Sequence, residues 1–281
     1  MRIVLLCANK SNQNALAAKI LKDFNLAGIV IEDKKTKHPF SIPYFISKIV
    51  DRILFFKIAS SWQAMLTYYK KQYAEVNQPQ RFITSNINSS EVVDFIKQLK
   101  PDLIMVSGTS LIRDKILDLT PPKGIINLHT GLSPYVKGGP NCTNWCIANN
   151  TFQLIGNTIM WIDKGIDSGN IITTEKVVFN GTESLNEVHI KVMEHAHNLY
   201  IRALHAISDN IENCPSVKQS DIAKGDLYLT RMWNFKAKFK FIIHLLHLKN
   251  GLLNTQNKSN AIDTIRLVSL PDISSPADYH R

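Results

Sequence analysis

The spacing of apolar positions alternates between two periods along the chain. Arg2–Cys7 is a short β-rich run, and Ser11–Phe24 carries apolar residues at helical spacing behind Ser and Asn residues suited to capping. Ala27–Ile31 reads as a second buried strand and Phe82–Thr84 as a weak third. Ser89, Ser90 and Glu91 open a helix to about Leu99. Asp102–Val106 is a continuous apolar run of strand length, Leu111–Leu119 a short helix and Gly124–His129 another strand. Gly156–Asp163 alternates like a strand, and a long helix covers roughly Glu183–Ser208. Strands alternating with helices predict an α/β fold, a doubly wound, mostly parallel sheet covered on both faces.

Two segments interrupt this alternation. Pro43–Gln72 is rich in apolar and aromatic residues with Lys48, Asp51, Arg52 and Lys57 among them, which suits helices packed on the domain or a face for a partner or membrane surface. The second begins at Cys214-Pro215 and contains Arg231–Lys249, a basic, aromatic stretch without acids. The expected division is therefore a main domain over residues 1–213 and a short basic C-terminal appendage over 214–281.

The 281 residues are 44% hydrophobic, enough for a full core, which excludes a disordered chain. No uncharged apolar run reaches the length of a membrane span, about 18 residues. The opening MRIVLLCANK reads as a strand rather than an export signal, and four cysteines in so long a chain are no disulfide framework, so reduced thiols in a cytoplasmic protein are expected. Cys142 and Cys146 have no second pair to complete a zinc site, and His189, His195, His197 and His205 read as the scatter of a solvated helix, so no metal is expected. The net charge of +10 suits nucleic acid, an anionic membrane face or a phosphorylated substrate.

The chemistry concentrates between Gly124 and Thr174. Residues i and i+2 of a strand share a face, so Asn127 and His129 project together at the carboxyl end of a strand, where open α/β sheets bind ligands. A glycine- and proline-rich loop, Gly131–Pro140, follows, with a helix from near Asn141. Asp167 lies in the tight loop Lys164–Gly169. An amide to meet an oxyanion, an imidazole that titrates near neutrality and a carboxylate to orient it suit acyl transfer to an amine. No GxGxxG follows the first strand, which disfavours a nicotinamide cofactor, and no P-loop is present either.

NLHTGLSPYVKGG and GNTIMWIDKGIDSGNII resemble the 10-formyltetrahydrofolate-dependent formyltransferases, over roughly residues 80–205. That family has a Rossmann-like fold and includes enzymes acting on glycinamide ribonucleotide, methionyl-tRNA and nucleotide-linked amino sugars. The resemblance implies an Asn–His–Asp triad at Asn127, His129 and Asp167, and no covalent enzyme intermediate. It implies folate contacts, mostly through backbone, at Ser110, Leu111 and Ile112 on one side and Ile162, Asp163 and Gly165 on the other.

For the acceptor, the resemblance favours a nucleotide-linked amino-deoxy sugar, of the 4-amino-4,6-dideoxyglucose type or its 3-amino isomer, as used for lipopolysaccharide O-antigen. Methionyl-tRNA enzymes usually carry a sizeable β-barrel after the catalytic domain and S-L-L-P in the central loop. Here 67 residues follow Cys214 without regular strand alternation, and the loop reads Gly131-Leu-Ser-Pro. Glycinamide ribonucleotide enzymes are typically shorter. Lys137 and the backbone of Gly138 are expected to meet the diphosphate, with Tyr135 and Trp145 stacking on base or sugar. The expected partners are the folate, the nucleotide sugar and a second copy in a homodimer, with no DNA. A non-enzymatic alternative keeps the basic tail as an RNA- or membrane-surface module.

Overall fold

The computed structural model describes residues 1–34, 42–73, 79–257 and 265–271. The chain runs β1 (Arg2–Ala8), α1 (Ser11–Asp23), β2 (Asn25–Glu32), α2 (Ile42–Leu54), α3 (Phe56–Gln72), β3 (Gln80–Thr84), α4 (Ser90–Leu99) and β4 (Leu103–Ser107). It continues through α5 (Asp114–Leu117), β5 (Ile125–His129), β6 (Val136–Gly138), α6 (Cys142–Ala148), β7 (Gly156–Trp161) and β8 (Ile171–Lys176). The long α7 (Leu185–Asp209), β9 (Asp226–Tyr228), α8 (Phe235–Leu245) and α9 (Leu248–Asn257) complete it.

Among the described residues, seven strands form one sheet in the order β3-β2-β1-β4-β5-β7-β8. The first five are parallel, and β7 reverses against β5 and β8 against β7. Strand side chains alternate between two cores, as a period of two requires. Ile3, Leu5, Leu103, Met105 and Ile126 pack with α1 and α7, while Val4, Leu6, Ile104, Val106 and Ile125 pack with α4 and α5. The sheet is therefore doubly wound and mostly parallel, as its alternating sequence predicts.

Three local expectations change. Ser11 does not cap α1; its Oγ donates to the Leu66 carbonyl at 2.6 Å and ties α1 to α3. The helix expected over Leu111–Leu119 is confined to Asp114–Leu117. Asn88 explains this, donating to the Leu111 carbonyl at 2.9 Å and accepting the Arg113 N–H at 2.7 Å, so residues 111–113 stay outside the helix. The α7 histidines are not uniformly solvated. His189 and His197 are buried, and His195 and His205 pair with Glu175 and Asp23.

The described residues after Cys214 are built onto the body of the protein. β9 pairs in parallel with β6, and Phe241, Leu248 and Leu252 join a core with α6, Phe152 and Phe179. Farther on, Val268 exchanges bonds with Thr174, the backbone N–H of Thr174 reaching the Val268 carbonyl at 2.8 Å, and so covers the outer edge of β8. No helix among the described residues is long and apolar enough to cross a membrane.

Candidate active site

Asn127 and His129 end β5 next to the reversal of sheet direction, where a cavity of about 440 Å³ opens. Its walls come from the β4–α5 loop, the end of β5, the Gly138–Pro140 turn, the Ile162–Gly169 loop and Tyr228–Thr230. Crevices at strand carboxyl ends in such sheets are the usual ligand sites, and this volume suits a small molecule.

The carboxylate of Asp167 organises the polar end. Its Oδ1 accepts from Asn127 Nδ2 at 3.2 Å. Its Oδ2 accepts the backbone N–H of Gly138 at 3.0 Å and faces His129 Nδ1 at 3.2 Å. His129 Nε2 lies 3.1 Å from the Val136 carbonyl. With an acceptor on each ring nitrogen, both contacts are donated only when the imidazole carries two protons. Asn127 Nδ2 spends one N–H on Asp167 and keeps a second for the cavity.

Asp167 adopts φ +47°, a left-handed conformation that is uncommon away from glycine and costs on the order of 1–3 kcal/mol in non-glycine residues. Gln219 holds the bend in place, its Nε2 donating to the carbonyls of Asp167 and Gly169 at 2.8 Å each. On the facing wall, buried Glu32 at the end of β2 accepts the Ser110 N–H at 2.7 Å and the Ser110 hydroxyl, fixing the β4–α5 loop. Neither Glu32 nor Gln219 emerged from the sequence. A carboxylate ending an apolar strand was the one available signal for Glu32, and Gln219 had none.

Cys142 Sγ sits 3.6 Å from His129 Nε2, but burial pushes its thiol well above the usual range, with the charges of Cys146 and Asp167 adding to the effect. A thiol kept protonated is a poor nucleophile, and Cys142 does not line the cavity but packs in the core with Cys146 and Val136.

Ser110, Leu111, Ile112, Ile162, Asp163 and Gly165 all line the cavity together with Asn127, His129 and Asp167. The residues expected to meet a diphosphate sugar are placed differently. Gly138 lines the cavity, but its N–H is spent on Asp167 and that of Gly139 on the Tyr228 carbonyl, so neither is a free anion donor. Trp145 is buried, stacks on Tyr228 with ring centroids 4.3 Å apart and donates its indole N–H to the Gly139 carbonyl. Tyr135 bonds the backbone of Arg266 through its hydroxyl, and neither it nor Lys137 lines the cavity. Tyr228, supplied by β9 and absent from the sequence-based site, borders the cavity, as does Trp161 of β7.

The chain belongs to the formyl transferase family, whose profile matches residues 59–204. A methionyl-tRNA formyltransferase of Clostridium tetani is 32% identical over 182 residues, covering 64% of this chain and 55% of its own length. The chain thus spans about half the length of that curated relative, and less of others such as the Desulforamulus reducens methionyl-tRNA formyltransferase, of which 39% is covered. Among solved structures, a sugar N-formyltransferase from a Shewanella species superposes with a TM-score of 0.56 at 16% identity, covering 88% of each chain. A 4-N formyltransferase from Francisella tularensis gives 0.53 at 18% identity, covering 86% of this chain and 87% of its own. These structures share the fold.

Proposed function

We propose that this chain transfers a formyl group from 10-formyltetrahydrofolate to an amine, with Asn127, His129 and Asp167 as its catalytic residues. The observation that carries this reading is the single carboxylate of Asp167 shared between the Asn127 amide and the His129 imidazole at the polar end of the cavity. The cavity suits the folate's flat heterocycle, since Val106, Ile112, Met160 and Ile162 give it apolar walls beside the backbone of Gly108–Ile112. The folate supplies an activated formyl carbon for attack by the amine.

The residues divide the work as follows. The free N–H of Asn127 meets the negative charge that develops on the formyl oxygen, and the protonated ring of His129 stabilises it further. Asp167 holds both groups in place through its two carboxylate oxygens. Its carboxylate also takes part in moving the proton from the attacking amine to the leaving nitrogen, through water.

For the acceptor we favour a nucleotide-linked amino-deoxy sugar. The supporting features are a cavity of small-molecule size, an aromatic rim at Tyr228 and the net positive charge of the chain. Methionyl-tRNA is the second reading, favoured by the curated relatives at about one third identity. A substrate panel separates them. The chain is offered 10-formyltetrahydrofolate with dTDP- and UDP-linked 4-amino- and 3-amino-dideoxyglucose, with methionyl-tRNA and with glycinamide ribonucleotide, and tetrahydrofolate release is followed. Turnover with an amino sugar is expected. Turnover confined to methionyl-tRNA would overturn the acceptor and leave the triad intact, and no turnover with any amine would overturn the reaction.

A further inference from the structure

Helix α2 is amphipathic in the wrong direction for a helix packed on a core. Ile42, Phe45, Ile46, Ile49 and Ile53 recur at helical spacing, and each is between 49% and 77% exposed. Asp51 lies on the opposite side of the helix and pairs with Lys238 of α8 at 2.6 Å. The Asp51 side of α2 thus meets α8, and its apolar stripe faces out. Phe56, also exposed, extends the stripe into the start of α3.

Helix α8 repeats the arrangement. Phe235, Phe239 and Ile243 are exposed at four-residue spacing and Leu246 follows, while Ala237 and Phe241 are buried on the other side. The two helices meet. Phe55, between α2 and α3, packs edge-on against Phe235 with centroids 5.4 Å apart, and Lys238 caps the Phe55 ring. Two segments almost 190 residues apart in sequence, joined by the Asp51–Lys238 pair, therefore present adjoining apolar stripes. Exposed Arg52, Lys57, Lys236 and Lys240 border them, and the one acid of these helices is the paired Asp51.

We propose that α2 and α8 together form a docking surface for an anionic lipid bilayer, with the Ile and Phe stripes entering the interface and the bordering cations meeting lipid phosphates. Outward apolar side chains fringed by Lys and Arg on a helix are what an interfacial helix needs, and apolar burial and charge then add. A second copy of this chain fits less well, because a two-fold contact through this patch brings Arg52, Lys57, Lys236 and Lys240 toward their own counterparts. Single-stranded RNA uses cations and stacking rings, and leaves the row of isoleucines on α2 without a role.

The test is flotation of the full chain with vesicles of phosphatidylcholine alone and of phosphatidylcholine mixed with phosphatidylglycerol. Flotation only with the anionic vesicles, weakening as salt rises, is expected. The pair Ile49→Ser and Ile53→Ser, and separately Phe239→Ser, should each weaken it by about tenfold or more while circular dichroism stays unchanged. The triple change Arg52→Gln, Lys236→Gln and Lys240→Gln should remove the salt-sensitive part. Failure of the unaltered chain to bind anionic vesicles at low salt would overturn the proposal whatever the variants do. So would a dimer that the apolar variants dissolve in sedimentation without any vesicle binding. The wild-type comparison of the two vesicle types needs no variant to fold, and its outcome is independent of which amine is formylated.

Discussion

Asp167 makes four commitments at once: to Asn127, to His129, to the Gly138 N–H and, through its own carbonyl, to Gln219. This explains why a non-glycine residue tolerates a left-handed backbone there, since the surrounding bonds over-determine the conformation. It also explains why the glycine loop is shaped for the triad rather than for phosphate, its N–H groups being occupied inside the protein. Gly131 shows how closely His129 is packed, because a Cβ there would collide with the His129 Nε2 and press on the Val136 carbonyl. Gly131→Ala should therefore displace the imidazole and lower turnover by roughly tenfold to a hundredfold, the scale of a misplaced catalytic group. Gly139 lies in the cavity wall, but with nothing near its Cβ the change Gly139→Ala leaves the imidazole in place and should lower kcat less than Gly131→Ala does. Comparing kcat of the two variants is the check, and equal rates would contradict the packing account.

At the scale of elements, six of the seven strands of the main sheet, all but β8, and the shared face of Asn127 and His129 could be read directly from the sequence, while Asp167 is joined to them by the family resemblance. Alternation and continuous apolar runs mark β1, β4 and β5, and a two-residue offset at a strand end puts two side chains on one face. What could not be read depends on partners far away in the chain. β6 and β9 are each three residues long and exist by pairing with each other. Glu32 meets Ser110 across 78 residues, and Gln219 meets Asp167 across 52. Trp145 offered an aromatic ring to a ligand in sequence, but Tyr228 arrives from β9 to cover it. Tyr200 of α7 is another such partner. Its hydroxyl accepts the Val106 N–H at 3.1 Å and donates to the Ile126 carbonyl at 2.9 Å, bridging β4 and β5 beside Asn127. Tyr200→Phe removes this buried bridge and should destabilise the protein by about 1–3 kcal/mol. Denaturant unfolding measures this, and an unchanged midpoint would show that the bridge contributes nothing.

Over the whole molecule, the positive charge is unevenly used. The residues from Pro215 on carry ten Lys or Arg against five Asp, yet the described part of this segment belongs to the fold, closing the cavity with Tyr228 and forming half of the outward apolar surface with α8. Stability should also depend on pH through the interior of α7. Burial lowers His189 to about 4, and burial with a smaller effect of Lys19 lowers His197 to about 3, against an ordinary value of 6.5. The unfolded chain therefore takes up these protons first as pH falls. The stability these neutral rings contribute is complete above about 6.5 and drains from there toward 4 and 3, by up to about 1.4 kcal/mol per pH unit for each histidine. Glu175, held near 2 by His195 and Arg202, loses its contribution only lower, between 4.5 and 2. A thermal midpoint that falls between about pH 7 and 5, and falls less steeply in His197→Leu, is expected. An identical slope in that variant would rule out His197 as a source.

The most direct measurement is single-turnover formyl transfer by the wild-type chain beside Asn127→Ala, His129→Ala and Asp167→Ala, each shown to be folded by circular dichroism. The acceptor is whichever amine the panel identifies. Each substitution removes the oxyanion-facing amide, the imidazole beside it or the carboxylate that holds both, so each should slow the formyl-transfer step by about a hundredfold to a thousandfold. A His129→Ala protein that transfers formyl at close to the wild-type rate would contradict the mechanism.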